Sequence, residues 1–120
     1  DERVGMTRYV GICSGGDFAE GRPAGIDAGA AATITNAERF SLPVDETVRR
    51  LPMGRCVCFF TDSRDREYLR LERHPAVRGH LAQHHLQAAG DILLYYLMLY
   101  IAEKEDGEDL AVACLPVREA

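Results

Sequence analysis

The sequence predicts an α+β fold in which a single antiparallel sheet packs against one long C-terminal helix. Three observations lead to this fold class. Segments with alternating apolar side chains, which are typical of strands, occur near both ends and in the middle of the chain. The glycines within residues 14–30 predict an irregular, glycine-rich N-terminal region. An uninterrupted apolar stretch starts at Ile92, inside a segment over residues 75–107 that we interpret as the helix.

The length of the chain and its composition indicate one globular unit. The 120 residues are enough to bury a core, and we assign residues 1–120 to a single α+β domain. Apolar residues make up 47% and charged residues 28%, which excludes wholesale disorder. The order of the predicted elements is compatible with a β-α-β-β-α-β layout. The alternative is a five-stranded sheet that includes residues 31–35 and wraps around the long helix.

The first half of the chain contains few clear elements. The segment Arg8–Cys13 alternates loosely and predicts a strand that ends at a turn signal. Residues 14–30 show no periodicity and predict a long loop, while residues 31–35 fit either a strand or the tail of a weak helix. Residues 43–50 predict a short helix, because a proline and two acidic residues suit its first turn and two arginines suit its end.

Residues 55–72 predict a β-hairpin with a four-residue loop, and residues 109–117 predict a last strand after the long helix. Strict alternation divides the side chains of the hairpin between two faces. The side chains assigned to the core face are Cys56, Cys58, Phe60, Leu69 and Leu71. The side chains assigned to the opposite face are Val57, Phe59, Arg66, Tyr68 and Arg70.

The apolar stretch over residues 92–102 leads to the main functional prediction. As a helix it has no polar side, and its eleven residues are too few to span a bilayer. A helix that is apolar all round is normally buried all round, so we expect its outer side to bind a second copy or a protein partner. The predicted interface residues are Ile92, Tyr95, Tyr96, Leu99 and Tyr100. In the alternative, residues 14–54 fold over this side of the helix.

Two cysteines and two histidines form the alternative functional site. Cys56 and Cys58 share one predicted strand face, while His80 and His84 are four residues apart on one side of the predicted helix. Two sulfur and two nitrogen ligands suit zinc, and the same residues could serve a small thiol-dependent enzyme domain. The Cys-x-Cys spacing lacks the turn residues of a zinc knuckle, and cysteine is common in cores as a small apolar residue. We therefore predict neither a metal nor a cofactor.

Two further patterns could have a chemical function, and each also has an ordinary structural explanation. Cys13 ends the first predicted strand before a glycine-containing turn, where a thiol could be a nucleophile and backbone amides could bind an anion. A plain turn explains the same residues. The side chains that could contact an anion or a single-stranded nucleic acid are Arg64, Arg66, Tyr68 and Arg70. Surface ion pairs with the neighbouring acidic residues are the favoured explanation of these arginines.

The charge distribution and the cysteines limit the class of partner and the compartment. Residues 49–78 have a net charge of +4, but the whole chain has a net charge of −5, which argues against a nucleic-acid-binding protein. No segment predicts a membrane interaction. Four cysteines without a secretory signal predict free thiols and a cytoplasmic or other intracellular location. We expect a non-catalytic protein-interaction or regulatory domain that forms a homo-oligomer or docks a protein partner through the long helix.

Overall fold

A computed structural model describes residues 8–22, 25–62, 69–98 and 110–120, and these residues form a six-stranded antiparallel sheet with three short helices. The strands are β1 (Arg8–Cys13), β2 (Asp27–Ala31), β3 (Cys56–Asp62), β4 (Leu86–Ala88), β5 (Ile92–Met98) and β6 (Leu110–Glu119). The helices are α1 (Gly15–Glu20), α2 (Ile34–Arg39) and α3 (Pro75–Gln83). Five strands follow the order β2-β1-β5-β6-β3, and β4 pairs with the end of β6. The predicted fold class, a sheet packed against one long C-terminal helix, is therefore wrong.

The predicted helix over residues 75–107 is much shorter in the structure. α3 begins at Pro75 and ends at Gln83, and the following His85 has a φ of 53°. This left-handed backbone conformation is incompatible with continuation of a right-handed helix. β4 and β5 come next, so the predicted helix beyond Gln83 consists, over the described residues, of a turn and two strands with their connection. Residues 99–107 lie outside the described residues.

The place of β5 in the sheet explains why its sequence was interpreted as a buried helix. β5 pairs with β1 on one side and with β6 on the other. Successive side chains of a strand point to opposite faces, yet Ile92, Leu93 and Leu94 are all buried. A strand that is covered on both faces is apolar at every position, and periodicity alone does not distinguish it from a buried helix. The isoleucine and the two tyrosines of this segment favour the strand.

β3 confirms the first strand of the predicted hairpin, but its partner in the structure is β6. The register of this pair places Cys58 opposite Cys114. Residues 63–68 lie outside the described residues, and Leu71–Arg73, which overlaps the end of the predicted second strand, forms one 3₁₀ turn. β6 confirms the last predicted strand and extends it beyond residues 109–117.

The assignment of the β3 side chains to the two faces of the sheet is wrong by one residue. Phe59 packs against the core, whereas Cys58 and Phe60 are exposed. The alternation in this strand could not decide which face is buried, because both sets of side chains are apolar. β6 decides it, since the fully buried Ala113 stands opposite Phe59. Of the other residues assigned to the core, Leu69 is fully buried there.

The N-terminal half contains more regular structure than the sequence predicts. β1 is confirmed, but α1 and β2 occupy most of the predicted loop over residues 14–30. Ser14 and Thr33 cap α1 and α2, because each side-chain oxygen accepts a hydrogen bond from the amide of the residue three positions on. The predicted helix over residues 43–50 is wrong. That segment contains a turn in which the Asp45 carboxylate accepts a hydrogen bond from the Thr47 amide.

The core lies on one face of the sheet, beneath α1 and α3. Its largest fully buried side chains come from four parts of the chain, which shows that the described segments share one core. These side chains are Phe18, Leu69, Ile92, Leu94 and Leu115. α3 contributes Val77 and Leu81, which are four residues apart and therefore on the same side of the helix.

Candidate functional site

Eight side chains form two rows across the face of the sheet opposite the core. Each row has one residue from β1, β5, β6 and β3, in that order across the sheet. The first row is Val10, Tyr95, Val112 and Phe60, and the second row is Ile12, Leu93, Cys114 and Cys58. We call these eight residues the outer face. None of them is charged, so the outer face is apolar except for one phenol hydroxyl and two thiols.

The outer face is covered at its β1 end and open at its β3 end. Val10 and Leu93 are almost fully buried, whereas Phe60 is 69% exposed and Cys58 is also exposed. Full burial of a phenylalanine side chain contributes about 1.5–3 kcal/mol, and most of this contribution is absent for Phe60 in the single chain. The open end of the outer face is therefore a surface where a partner could bury apolar area.

Cys58 and Cys114 form a close thiol pair at this open end. They are directly opposite each other on β3 and β6, and their Sγ atoms are 3.5 Å apart, within reach of an S–H···S hydrogen bond. Cys56 lies on the same side of β3, but its thiol donates a hydrogen bond to the carbonyl oxygen of Met53 at 3.4 Å. The pair therefore consists of one exposed thiol, Cys58, and one half-buried thiol, Cys114.

The environment of the thiols separates them chemically. Burial raises the pKa of Cys114 to about 12, and its contact with Cys58 acts in the same direction. Burial also raises the pKa of Cys56, and the nearby Cys58 raises it further. Burial raises the pKa of Cys13 to about 12, and the negative charges of Asp91 and Asp17 reinforce the effect. A thiol with such a pKa remains protonated near neutral pH and is a poor nucleophile.

The structure separates the residues of the predicted interface. Ile92 is fully buried in the core, while Tyr95 and Tyr96 are half-buried and point to opposite faces of the sheet. Tyr95 belongs to the outer face, and Tyr96 packs against the core. Leu99 and Tyr100 lie outside the described residues.

The structure does not assemble the predicted metal site. His80 and His84 are exposed, and their ring centroids are 4.4 Å apart near the end of α3. Cys56 and Cys58 lie instead on the outer side of β3, away from the core that α3 covers. Over residues 8–22, 25–62, 69–98 and 110–120, no three histidine, cysteine, aspartate or glutamate side chains come together as a metal site.

The remaining predicted residues have ordinary structural roles where they are described. Cys13 is a buried core residue, and the turn after it is the beginning of α1. Arg64, Arg66 and Tyr68 lie outside the described residues. Arg70 is half-buried, and its Nη1 lies 3.8 Å from Oε1 of Glu72, which fits the ion-pair interpretation.

Sequence reasoning missed Cys114 as the neighbour of Cys58. Both cysteines lie in correctly predicted strands, but the predicted hairpin paired the strand of Cys58 with the segment that follows it and not with the last strand. The signal that could have found the contact is the alternation in the last strand, where Ala111 and Ala113 occupy one face and Val112 and Cys114 the other. Without knowledge of the strand order, this alternation does not identify Cys58 as the residue opposite Cys114.

The chain matches no protein-family model, and no curated protein or solved structure is significantly similar to it. Within the part of the chain that the structure describes, no helix is long and apolar enough to cross a membrane.

Proposed function

We propose that this domain is a non-catalytic interaction domain that self-associates through the open end of the outer face. The observation that supports the proposal is Phe60, which is 69% exposed in the middle of β3 although the neighbouring Phe59 packs against the core. Next to Phe60, Val112 is half-buried, and Leu110 at the start of β6 is exposed. Apolar side chains grouped in this way mark association sites more often than isolated ones do.

The lack of charge on the outer face favours a second copy as the partner. A surface with net charge repels its own copy, whereas an uncharged apolar surface is complementary to itself. Two such sheets can stack face to face about 10 Å apart, as the sheets of a β-sandwich do. This proposal places the interface on the outer face of β3 and β6 and not on a helix.

The thiols support a non-catalytic, intracellular domain better than they support catalysis. All four cysteines are free, and Cys13 and Cys114 have pKa values raised to about 12, which disfavours thiolate chemistry at these two residues. Free thiols are typical of proteins in reducing compartments. The alternative function, a thiol-dependent or metal-binding domain, retains support from one observation, the close pair Cys58 and Cys114.

The test is the solution mass of two matched variants. Phe60→Ser removes the exposed ring from the outer face, while Ile34→Ser removes a similarly exposed side chain from α2, which has no buried residue. We expect light scattering to give a dimer for the wild type and for Ile34→Ser, and a monomer for Phe60→Ser at the same concentration. Circular dichroism checks that both variants remain folded. A wild type that stays monomeric at the highest attainable concentration would refute the proposal.

A further inference from the structure

We propose that Cys58 and Cys114 are a redox modification site, at which a small-molecule disulfide converts the two thiols into a cross-strand disulfide. This inference goes beyond self-association and concerns the chemistry of the two side chains themselves. It depends on three observations: their register, the distance between their sulfur atoms and the exposure of Cys58.

The backbone already has the spacing that a disulfide needs. Directly opposite residues in an antiparallel pair have Cα atoms about 4.5–5.5 Å apart, and disulfides occur at Cα separations of about 4.4–6.8 Å. The Sγ atoms of Cys58 and Cys114 are 3.5 Å apart as thiols, so both side chains already point toward each other. Closing the 3.5 Å gap to the S–S bond length of about 2.05 Å requires rotation about the Cα–Cβ bonds.

The reaction is a pair of thiol–disulfide exchanges that balance without another reactant. The exposed Cys58 loses its proton and attacks one sulfur of the small disulfide, which releases the first small thiolate and leaves a mixed disulfide on Cys58. The raised pKa of Cys114 makes the second exchange the slower one, and the closeness of the two sulfur atoms offsets this effect. Cys114 loses its proton and attacks the Cys58 sulfur, which forms the Cys58–Cys114 bond and releases the second small thiolate. The two protons from the protein thiols end on the two released small thiols. The protein is oxidised by two electrons, and the small disulfide is reduced by two.

The other cysteines are poorly placed to compete for the mixed disulfide. Cys13 is buried on the core side of the sheet, opposite to the side of Cys58. Cys56 is on the same strand and the same side as Cys58, two residues away, and its thiol faces the carbonyl oxygen of Met53. Residues two apart on a strand are separated by about 6.6 Å, near the upper limit of Cα separation for a disulfide. The geometry therefore selects Cys114 as the resolving thiol.

The experiment treats the native wild type with oxidised glutathione and counts the free thiols after unfolding. We expect the count to fall from the four of the reduced protein to two, with an intact mass lower by two hydrogen atoms and a peptide that links Cys58 to Cys114. Cys56→Ser should give the same linked peptide. Cys114→Ser should instead retain one glutathione on Cys58, because the remaining Cys56 is poorly placed to resolve the mixed disulfide.

The same treatment of Phe60→Ser separates this inference from self-association. In a dimer formed through the outer face, Cys58 would be shielded from the reagent, so a slow reaction in the wild type and a fast one in the monomeric variant supports both proposals. A linked peptide at equal rates in both proteins supports the disulfide and argues against the dimer. A Phe60→Ser variant that keeps four thiols, retains a stable mixed disulfide or links Cys58 to Cys56 would overturn the inference.

Discussion

The rings of Phe18 and Phe59 stack with their centroids 5.7 Å apart, and this contact connects α1 to the core side of β3. The His74 ring, just before α3, completes the group at 4.9 Å from the Phe59 centroid. Phe18 is fully buried, so the stack forms part of the core and not of the surface. Aromatic pairs at this separation contribute about 0.5–1.5 kcal/mol beyond the area that they bury.

The first prediction compares the two neighbouring phenylalanines of β3. Phe59→Ala should lower the free energy of unfolding by about 2–3 kcal/mol, because it removes the stack on Phe18 and leaves a cavity at the partly covered edge of the core. Phe60→Ala should change it by less than about 0.5 kcal/mol, because that ring is 69% exposed. Urea unfolding of both variants, each below its association concentration, measures the difference. A larger loss of unfolding free energy for Phe60→Ala would show that Phe60 and not Phe59 faces the core, as the sequence predicted.

The second prediction compares two neighbouring glycines at the start of α1. A methyl group at Gly15 would overlap the carbonyl oxygen of Gly90, which is a backbone atom and cannot rotate away. Gly15→Ala should therefore destabilise the protein by at least about 2 kcal/mol. A methyl group at Gly16 would meet only the Ser14 hydroxyl oxygen at 3.7 Å, an ordinary contact. Gly16→Ala should be neutral or stabilising by up to about 1 kcal/mol, since alanine favours the helix.

Thermal unfolding of the two alanine variants tests the close approach of α1 to the connection between β4 and β5. Equal melting temperatures for Gly15→Ala and Gly16→Ala would contradict the described packing of this connection. The comparison is informative because the two substitutions add the same atoms to the same helix. The two positions differ in their surroundings, because the backbone of Gly90 lies next to Gly15 and not next to Gly16.

The third prediction concerns alkaline pH. Folding raises the pKa of Cys13 from 9.0 to about 12, so the folded state retains a proton that the unfolded state loses between these values. The stabilisation is complete below about pH 9 and is lost as the pH rises toward 12. Between about pH 9 and 10.5, ionisation of the Cys13 thiol in the unfolded state should lower the free energy of unfolding by about 1.5 kcal/mol.

Cys13→Ala isolates this contribution, because the other titrating groups are common to both proteins. The difference in unfolding free energy between wild type and variant should shrink by about 1.5 kcal/mol from about pH 9 to 10.5. Urea unfolding at several pH values gives this difference directly. A difference that does not change with pH would show that the Cys13 thiol is hydrated in the folded state.

Local signals were sufficient for elements whose pattern had one interpretation. β1 and β6 were predicted close to their observed bounds, and β3 was recognised as a strand. The segment around Ile92 had two interpretations, because a buried helix and a central strand are both apolar throughout. The difference depends on β1 and β6, which cover its two edges and are far away in sequence. No local pattern contains that information.

The candidate site shows the same limit at the level of single side chains. Cys58 was singled out as a reactive residue, but the neighbour predicted for it came from the hairpin and not from β6. Which face of β3 is buried also depends on β6, because Cys58 and Phe59 are both acceptable core residues. The exposure of Phe60 and the thiol pair are therefore products of strand pairing, which a single sequence does not specify.

The last prediction concerns the stability of the oxidised protein. Cys58 and Cys114 are 56 residues apart in sequence, and closing a loop of this length in the unfolded chain corresponds to about 4 kcal/mol in the chain-entropy model. Engineered disulfides commonly deliver less, so we expect oxidation to raise the free energy of unfolding by about 2–4 kcal/mol. Urea unfolding of reduced and oxidised wild type measures the gain, and Cys114→Ser under the same oxidant should show none.

Hydrogen exchange locates this gain within the sheet. Among the described residues, β3 pairs with the sheet only through β6, so local opening of β3 requires the loss of one strand pairing. A covalent bond between Cys58 and Cys114 should suppress that opening and slow the exchange of the β3 amides more than that of the β1 amides. If oxidation lowers stability or accelerates exchange in β3, then closing the bond distorts the pairing, and the reduced register is not the one that the disulfide prefers.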